Sequence, residues 1–303
     1  MLHLDHGTGM KNIIPEETDK SYYLNLREFA SGEFEAVLKV VRPMQSEMME
    51  ASMNGSLTNT AWMHIKPAAK EEENPEAKAQ QNYNRAVRRA KQNIRWLCKA
   101  MDADRLFTLT YREDQNDREQ ARADFTRFLR LVRSGWRGEV GVPNWQYVAV
   151  LEKQQRGAFH IHCAVKGFQR IKFLRKCWYK ALACDPDVSG EHTPGSVNVT
   201  NPDKSRWGHT GRQWKVNKLA GYLTKYLTKT FDETATEKRR YWHCKDVIQP
   251  KKQRFWVTGN TMLEAIKSTV ELLSFHVGLG NTFTHWLSIQ NDSYWIAGSG
   301  KVH

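Results

Sequence analysis

The chain of 303 residues lacks any apolar run long enough to cross a membrane as a helix. Such a helix needs about 18 to 20 consecutive apolar residues, and polar residues interrupt every hydrophobic stretch here well before that length. The first residues also lack the apolar segment of a secretory signal. We therefore expect a cytoplasmic protein with no membrane partner.

Cysteine is scarce, and its spacing does not form a disulfide framework. None of the five cysteines lies in a Cys-x-x-Cys motif, which is typical of a protein in a reducing compartment. Cys177 and Cys184 with His192 match no common zinc pattern. A structural-zinc DNA-binding protein is therefore an alternative that metal analysis of the purified chain would test.

A complete phosphate-binding loop is also missing. Gly-Ser-Gly-Lys at residues 298–301 lacks the earlier glycine and the Ser or Thr that follows the lysine in that motif. We expect no nucleotide cofactor.

Acidic residues are few except near the start of the chain. Residues 1–74 contain 7 Lys and Arg against 12 Asp and Glu, whereas the remainder contains 39 against 21. A basic body of this kind favours a polyanionic partner, of which nucleic acid is the commonest.

Residues 151–167, LEKQQRGAFHIHCAVKG, predict two short strands joined by a tight turn at residues 154–157. Gly157 provides the positive φ that such a turn favours. Side chains alternate along a strand, so His160 and His162 point the same way, about 7 Å apart. Two imidazoles on one face form half of a metal site, and Glu152 on the neighbouring strand is a candidate oxygen ligand.

The run GYLTKYLTK at residues 221–229 predicts an amphipathic helix over residues 215–231. Tyr222 and Tyr226 lie one turn apart on one face, and three lysines at positions 218, 225 and 229 fall within the same arc. The opposite side carries apolar residues that anchor the helix, namely Leu219, Ala220, Leu223, Leu227 and Phe231. The exposed strip therefore combines two phenols with three ammonium groups.

An apolar strand at residues 105–111, ending in Thr-Leu-Thr-Tyr, precedes both motifs. The ordered set of this strand, His-hydrophobic-His and Tyr-x-x-Lys-Tyr resembles the HUH endonuclease superfamily. Within it, the set is similar to the two-tyrosine rolling-circle replication initiators of phages and plasmids, including the microvirus gene A proteins. The resemblance covers roughly residues 75–250.

The element order of strand, helix, strand, strand, helix, strand and helix predicts an α+β fold, a central antiparallel β-sheet with helices packed on it. The resemblance implies that the histidine strand is central and that the tyrosine helix lies across the active site. We expect three regions: an acidic, loosely ordered arm at residues 1–74 with one strand at 34–41, an HUH endonuclease domain at 75–250, and an extension of unassigned role at 251–303.

Basic residues interleaved with tryptophans suit single-stranded DNA, because the bases stack and the phosphates pair with cations. Residues 201–213, with Trp214 just beyond them, show this composition. Residues 238–242 and 251–254 are basic and resemble the segment that follows the tyrosine helix in phage initiators. The predicted DNA contacts are Lys218, Lys229, Lys204, Arg206, Trp207, Arg212, Arg239 and Arg240.

The resemblance implies nicking and rejoining of single-stranded DNA at an origin through a 5′-phosphotyrosine, with Tyr222 and Tyr226 as nucleophiles. Lys225 is expected to lower a tyrosine pKa or to neutralise developing charge. Two imidazoles and a carboxylate accept Mg²⁺ or Mn²⁺. The partners implied are an origin, including one folded as a hairpin, and the helicase and polymerase of a bacterial host cell.

Two alternatives stay open from the sequence. A two-tyrosine transposase or a mobilisation relaxase would use the same chemistry. A non-catalytic nucleic-acid-binding module would keep these residues without forming a covalent adduct with DNA.

Overall fold

A computed structural model describes residues 3–4, 20–41, 74–136, 138–200, 214–229 and 241–300, without the side chains of residues 3, 4, 20, 228, 229, 281 and 282. The chain divides into two units. The central unit is Pro75–Gln249, and the terminal unit combines Met1–Asn74 with Pro250–His303.

Eleven strands and five helices make up the described residues. The strands are β1 (His3–Leu4), β2 (Lys20–Glu28), β3 (Glu33–Val40), β4 (Arg105–Tyr111), β5 (Tyr147–Lys153), β6 (Phe159–Val165), β7 (Gly195–Thr200), β8 (Tyr241–His243), β9 (Lys251–Gly259), β10 (Leu279–Ser288) and β11 (Ser293–Gly300). The helices are α1 (Pro75–Ala100), α2 (Arg118–Ser134), α3 (Ile171–Ala181), α4 (Val216–Lys229) and α5 (Met262–His276). None of these helices is both long and apolar enough to cross a membrane.

The central unit is built on a five-stranded sheet in the order β7-β4-β6-β5-β8, in which all neighbours are antiparallel. Helices lie on both faces. The predicted α+β fold, an antiparallel sheet with helices packed on it, is confirmed. Strand β6, which carries both histidines, is the middle strand.

Alternation along the strands divides the central unit into two layers of core. Ile161 and Cys163 of β6 are buried in the layer that includes α2 and α3. Ala164 of β6 and Leu106 of β4 are buried in the layer that includes α1 and α4. Because side chains alternate in a strand, the histidines at 160 and 162 face the α1 and α4 side.

Helix α2 begins at a capped end and is tied to the sheet by a buried carboxylate. Asp117 is the N-cap, and its Oδ1 accepts hydrogen bonds from the backbone N–H groups of Glu119 at 2.8 Å and Gln120 at 3.2 Å. Further along the helix, buried Asp124 accepts hydrogen bonds from the Tyr111 hydroxyl at 3.1 Å and from the Gln120 amide at 2.8 Å. This contact fixes α2 against β4.

The β5–β6 hairpin has the turn that the sequence predicts. The N–H of Gly157 donates to the carbonyl of Gln154 at 2.8 Å, and the N–H of Gln154 donates to the carbonyl of Ala158 at 2.9 Å. Gly157 has φ 94°, a conformation that favours glycine. The resulting register places Glu152 directly opposite His160.

Helix α4 lies on β5, β6 and α1 through its apolar side. Four residues of that side are almost fully buried, as predicted: Leu219, Ala220, Leu223 and Leu227. The fifth predicted anchor, Phe231, lies outside the described residues. The burial of this stripe holds the tyrosine-bearing face over the histidine strand.

The terminal unit contains a six-stranded antiparallel sheet in the order β1-β9-β2-β3-β11-β10. Helix α5 packs on one face of it. The core between them includes Leu24, Leu38, Phe255, Leu273 and Ile296.

The amino-terminal region differs from the expected loosely ordered arm over residues 20–41. The strand expected at residues 34–41 is found as β3, but residues 20–28, expected to be irregular, form β2. Strand β2 buries Tyr22, Leu24 and Leu26 between β3 and β9. Because β9 and β11 come from the other end of the chain, the local sequence does not show these neighbours.

Candidate active site

Three potential metal ligands meet on the α4 side of the central sheet. Glu152 comes from β5, and His160 and His162 come from β6, which is the arrangement that the hairpin predicts. One ligand atom from each of the three lies within 4.8 Å of the other two. Glu152 and His162 are 3% and 5% exposed, whereas His160 is partly exposed.

A direct contact links the two buried members of this group. His162 Nε2 lies 2.6 Å from Glu152 Oε2. The ring centroids of His160 and His162 are 6.3 Å apart. One carboxylate oxygen and two imidazole nitrogens form a mixed donor set that accepts a divalent cation such as Mg²⁺ or Mn²⁺. The structure therefore has a triad compatible with a divalent cation, and these ligands do not select between Mg²⁺ and Mn²⁺.

Two further side chains orient the triad. Thr108 Oγ1 of β4 lies 2.9 Å from Nδ1 of His162, so the threonine is a partner for the ring nitrogen that points away from Glu152. The Gln154 amide donates to Glu152 Oε2 at 2.8 Å. Hydrogen bonds of this kind fix the ring and carboxylate orientation that a metal ligand needs.

His160 is held in its neutral form at neutral pH. Burial lowers the pKa of His160 from its ordinary value, and the neighbouring His162 lowers it further, although Glu152 acts in the opposite direction. A neutral imidazole offers a lone pair to a metal ion, whereas the protonated form does not. The environment of His160 is therefore suited to ligation.

Helix α4 places the two tyrosines beside the triad. The ring of Tyr226 stacks on the ring of His162, with centroids 3.5 Å apart and an interplanar angle of 10°. The ring of Tyr222 lies one turn earlier, with its centroid 5.3 Å from that of Tyr226 in an edge-to-face arrangement. Tyr226 is thus in direct contact with a triad residue, and Tyr222 is in contact with Tyr226.

The Tyr226 phenol is protonated at neutral pH. Burial raises the pKa of Tyr226 well above its ordinary value, and a hydrogen bond to Tyr222 and the nearby Glu152 charge add to the increase. A phenol in this state is a poor nucleophile until a cation offsets the charge that develops on its oxygen.

Lys225 lies over the ring of Tyr222. Its Nζ is 5.6 Å from the centroid of the Tyr222 ring, on the exposed side of α4. The pKa of Tyr226 is raised, so the expected lowering of a tyrosine pKa does not occur at that residue. The other expectation for Lys225, neutralisation of developing charge, stays a prediction.

Trp214 is a structural support for the tyrosine face. It is buried, its indole N–H donates to the carbonyl of Thr200 at 3.0 Å, and its ring lies 5.2 Å from that of Tyr222. The end of the basic and aromatic loop is therefore held in place by a buried tryptophan.

The predicted DNA contacts fall largely outside the described residues. Lys218 is exposed on α4, four residues before Tyr222, and has the position expected for it. Lys229 ends α4, but its side chain is outside the described part of the chain. The remaining predicted contacts, Lys204, Arg206, Trp207, Arg212, Arg239 and Arg240, lie in segments that the structure does not describe.

Sequence reasoning missed the polar residues of β4 and β7 that lie on the same face of the sheet as the triad. Thr108 and Thr110 interrupt an otherwise apolar strand at alternate positions, which is a signal for a polar patch on one face. Thr110 Oγ1 lies 2.8 Å from Ser196 Oγ, and the Asn198 amide donates to the same serine oxygen at 3.0 Å. These residues extend a polar surface from His160 to the edge of the sheet.

Comparison with known proteins gives one match that covers this site. Residues 104–231 match the family model of the replication-associated protein ORF2. No curated protein and no solved structure gives a match. The matched residues include β4, the β5–β6 hairpin and α4, and thus the triad and both tyrosines. The central unit is similar to a replication-associated protein, which is consistent with the role of a rolling-circle replication initiator.

Proposed function

We propose that this chain is a rolling-circle replication initiator that nicks and rejoins single-stranded DNA at an origin through a tyrosine of α4. The observation that carries the proposal is the stacking of Tyr226 on His162, within a Glu-His-His triad. A nucleophile, a set of metal ligands and a replication-associated family match coincide in one stretch of the chain.

Glu152, His160 and His162 are the residues that would hold the cation. When bound, a divalent cation polarises the phosphate oxygens and offsets charge in the transition state. Thr108 and Gln154 keep the ligands oriented through the hydrogen bonds described above. The buried position of Glu152 and His162 excludes water from the inner part of the site.

The reaction proposed is a transesterification. The phenol oxygen of Tyr226 forms a bond to phosphorus, and the bond from phosphorus to the 3′ oxygen breaks. The phenol proton is lost, the 3′ oxygen gains a proton to become a free 3′-OH, and the 5′ end stays attached to the tyrosine. The number of phosphoester bonds is unchanged, so the reverse step rejoins DNA without a nucleotide cofactor.

The second tyrosine allows a second cleavage while the first is occupied. Tyr222 lies on the same face of α4 and next to Tyr226. Lys225 over the Tyr222 ring and exposed Lys218 add positive charge along this face. Together with the basic balance of the chain after residue 74, these charges favour the phosphate backbone of DNA.

The test uses labelled single-stranded oligonucleotides that tile the DNA element encoding this chain, incubated with Mn²⁺, Mg²⁺ or chelator. Denaturing gels detect a covalent protein–DNA adduct, and mass spectrometry locates it. The expected result is a metal-dependent adduct on the peptide that holds Tyr222 and Tyr226.

Two variants and their matched controls sharpen the test. Changing Tyr222→Phe together with Tyr226→Phe should abolish the adduct, whereas Tyr241→Phe, on β8 of the same sheet, should keep it. His160→Ala should remove metal-dependent cleavage, whereas His243→Ala on β8 should not. An adduct formed by the double phenylalanine variant would refute the tyrosine assignment. Tight DNA binding without any adduct would favour a non-catalytic binding module.

A further inference from the structure

The terminal sheet has one face that α5 does not cover. Tyr22 and Leu24 of β2 and Phe255 of β9 point into the core under α5. The alternating residues Tyr23 and Trp256 therefore point to the opposite face. Helix α5 is the described helix of this unit, and we name the sheet face opposite to it the open face.

Aromatic rings occupy both sides of the open face. On β2 and β9, Tyr23 and Trp256 are register partners whose ring centroids are 6.2 Å apart. On β10 and β11, Trp286 and Trp295 are register partners, and Trp286 is 61% exposed. The open face thus exposes large rings where an antiparallel sheet facing water ordinarily carries polar side chains.

Cationic side chains lie beside these rings, two on β9 and one on β3, the strand between the two aromatic groups. The guanidinium carbon of Arg254 is 5.2 Å from the centroid of the Tyr23 ring, and its Nε donates to Asn25 Oδ1 at 3.0 Å. Lys252 of β9 and Lys39 of β3 are also exposed on this face. The central acidic residue of the face is Glu35, which is 4% exposed. Glu33, at the start of β3, is partly exposed on the same face. Three exposed cations, Arg254, Lys252 and Lys39, outnumber it, so the accessible charge of the described open face is positive.

The dimensions of the open face suit a short strand of nucleic acid. From β9 through β2, β3 and β11 to β10 there are four strand spacings of about 4.8 Å, so this part of the face is roughly 19 Å wide. The centres of the two aromatic groups are three spacings, or roughly 14 Å, apart. Bases of a single strand offer exposed faces for stacking, and its phosphates pair with interleaved cations. In a duplex the base faces are already stacked on one another, so a flat aromatic sheet cannot use them.

We propose that the open face is a second single-stranded DNA-binding platform, separate from the tyrosine site, on which bases stack against Tyr23, Trp256, Trp286 and Trp295. Arg254, Lys252 and Lys39 pair with the phosphates between them. This inference rests on the proposed function, because it takes the single-stranded origin DNA of that reaction as the ligand. It assigns to the terminal unit the task of holding DNA that the central unit cuts.

The first experiment locates the bound strand. The full chain is irradiated in chelator with a 20-nucleotide oligo-dT that contains 5-iodouracil, and crosslinked peptides are identified by mass spectrometry. The expected crosslinks include peptides that hold Trp256 or Trp286. Crosslinks confined to residues 75–249 would overturn the proposal.

The second experiment measures affinity by fluorescence anisotropy with labelled oligo-dT. Trp286→Ala should weaken binding about tenfold, since base stacking on an aromatic residue contributes at this level. Combining Arg254→Ala with Lys252→Ala should reduce the slope of log affinity against log salt by roughly 1.4, or about 0.7 for each lost phosphate contact. The matched controls lie on α5: Phe275→Ala, at an 87% exposed ring, and Lys267→Ala should both bind like the wild type.

Other occupants of the open face give distinct outcomes. An excess of duplex DNA that displaces the single strand as well as unlabelled oligo-dT does would overturn the single-strand assignment. If Trp286→Ala binds DNA normally but light scattering shows that it no longer forms an oligomer seen for the wild type, the open face is a contact between copies of the chain and the platform is refuted.

The covalent adduct assay separates this inference from the proposed function. The α5 control Phe275→Ala should form the tyrosine adduct as the wild type does. If the wild type forms no adduct but the open face crosslinks, the catalytic proposal fails and the platform stands. If the adduct forms without open-face crosslinks, the platform alone is refuted.

Discussion

Thr108→Val is the change that most directly tests whether His162 is a metal ligand. Thr108 is buried on β4, and its hydroxyl oxygen lies 2.9 Å from the Nδ1 of His162. Valine has nearly the same shape but offers no hydrogen bond to the imidazole. Removing such an orienting partner lowers metal affinity by about 10- to 100-fold, which corresponds to roughly 1.4 to 2.7 kcal/mol.

The effect on stability can be worked out for a defined metal concentration. A ligand present at 100 times its dissociation constant stabilises the folded state by about 2.7 kcal/mol. If Thr108→Val weakens affinity about 30-fold, the same concentration gives about 0.9 kcal/mol. At roughly 2 to 4 °C for each kcal/mol in a domain of this size, the Mn²⁺-induced rise in melting temperature should fall from about 5–11 °C to about 2–4 °C.

The assay is thermal unfolding of wild type and variant over a titration of MnCl₂, with chelator as the reference. Loss of the hydrogen bond alone should lower the metal-free stability by only about 1 kcal/mol. Thr110→Val is the matched control, because Thr110 lies on the same face of β4 but bonds to Ser196 at 2.8 Å and not to a triad residue. A Thr108→Val titration identical to that of the wild type would refute the orienting role, and an equal loss in Thr110→Val would show that the effect does not act through His162.

Three further predictions rest on the same contacts. Tyr226→Phe keeps the ring that stacks on His162 but removes the hydroxyl, so the first adduct on denaturing gels should be lost. Tyr222→Phe should retain that adduct. The opposite result would assign the first cleavage to Tyr222. Glu152→Gln removes the ligand charge in an isosteric side chain, so Mn²⁺ should no longer raise the melting temperature, and an unchanged rise would place the metal elsewhere. Tyr111→Phe removes one hydrogen bond to buried Asp124 and should lower the free energy of unfolding by about 1 kcal/mol in urea titration, with an adduct yield equal to that of the wild type.

Strands and helices whose apolar residues recur at a regular spacing could be predicted from the sequence. The strand expected at residues 105–111 is β4, at Arg105–Tyr111. The helix expected at 215–231 is found at Val216–Lys229 with four of its five predicted apolar residues buried. In both cases the spacing of apolar residues, two in a strand and 3.6 in a helix, is visible within one segment. The apolar residues that it marks are then buried in the core of the central unit.

The meeting of Glu152, His160 and His162 follows from one hairpin, so the sequence could predict it. The partner of His162 on β4 could not be predicted in the same way, because Thr108 is 54 positions away and its place depends on the β4–β6 register. The position of α4 over the triad came from the resemblance and not from periodicity. Long-range register is set by the whole core, and a single segment does not show it.

The terminal sheet is the clearest case of this limit. Strand β2 pairs with β9, so that Asn25 lies opposite Arg254 across more than two hundred residues of chain. Residues 20–28 alternate in a way that fits a half-buried strand, but they are short and lie in an acidic region that favours disorder by composition. Strand β3 supplies one set of apolar neighbours nearby in the sequence, but the rest come from the other end of the chain, from β9, β11 and α5.

The two tyrosines place a condition on how a second cleavage occurs. Tyr226 lies on His162, whereas Tyr222 is four residues earlier, about 6 Å along the axis of α4. Sliding the helix by one turn to bring Tyr222 onto His162 would keep Leu219 and Leu223 in buried positions, because each takes the place of the leucine four residues later, but it would displace Leu227 and put Lys215 in the buried position of Leu219. Displacing one such leucine costs about 2 kcal/mol or more. Burying a lysine side chain in place of a leucine adds to this cost. We therefore infer that α4 stays in place, and that the DNA moves by about 6 Å, or the tyrosine side chains rotate, between the two cleavages.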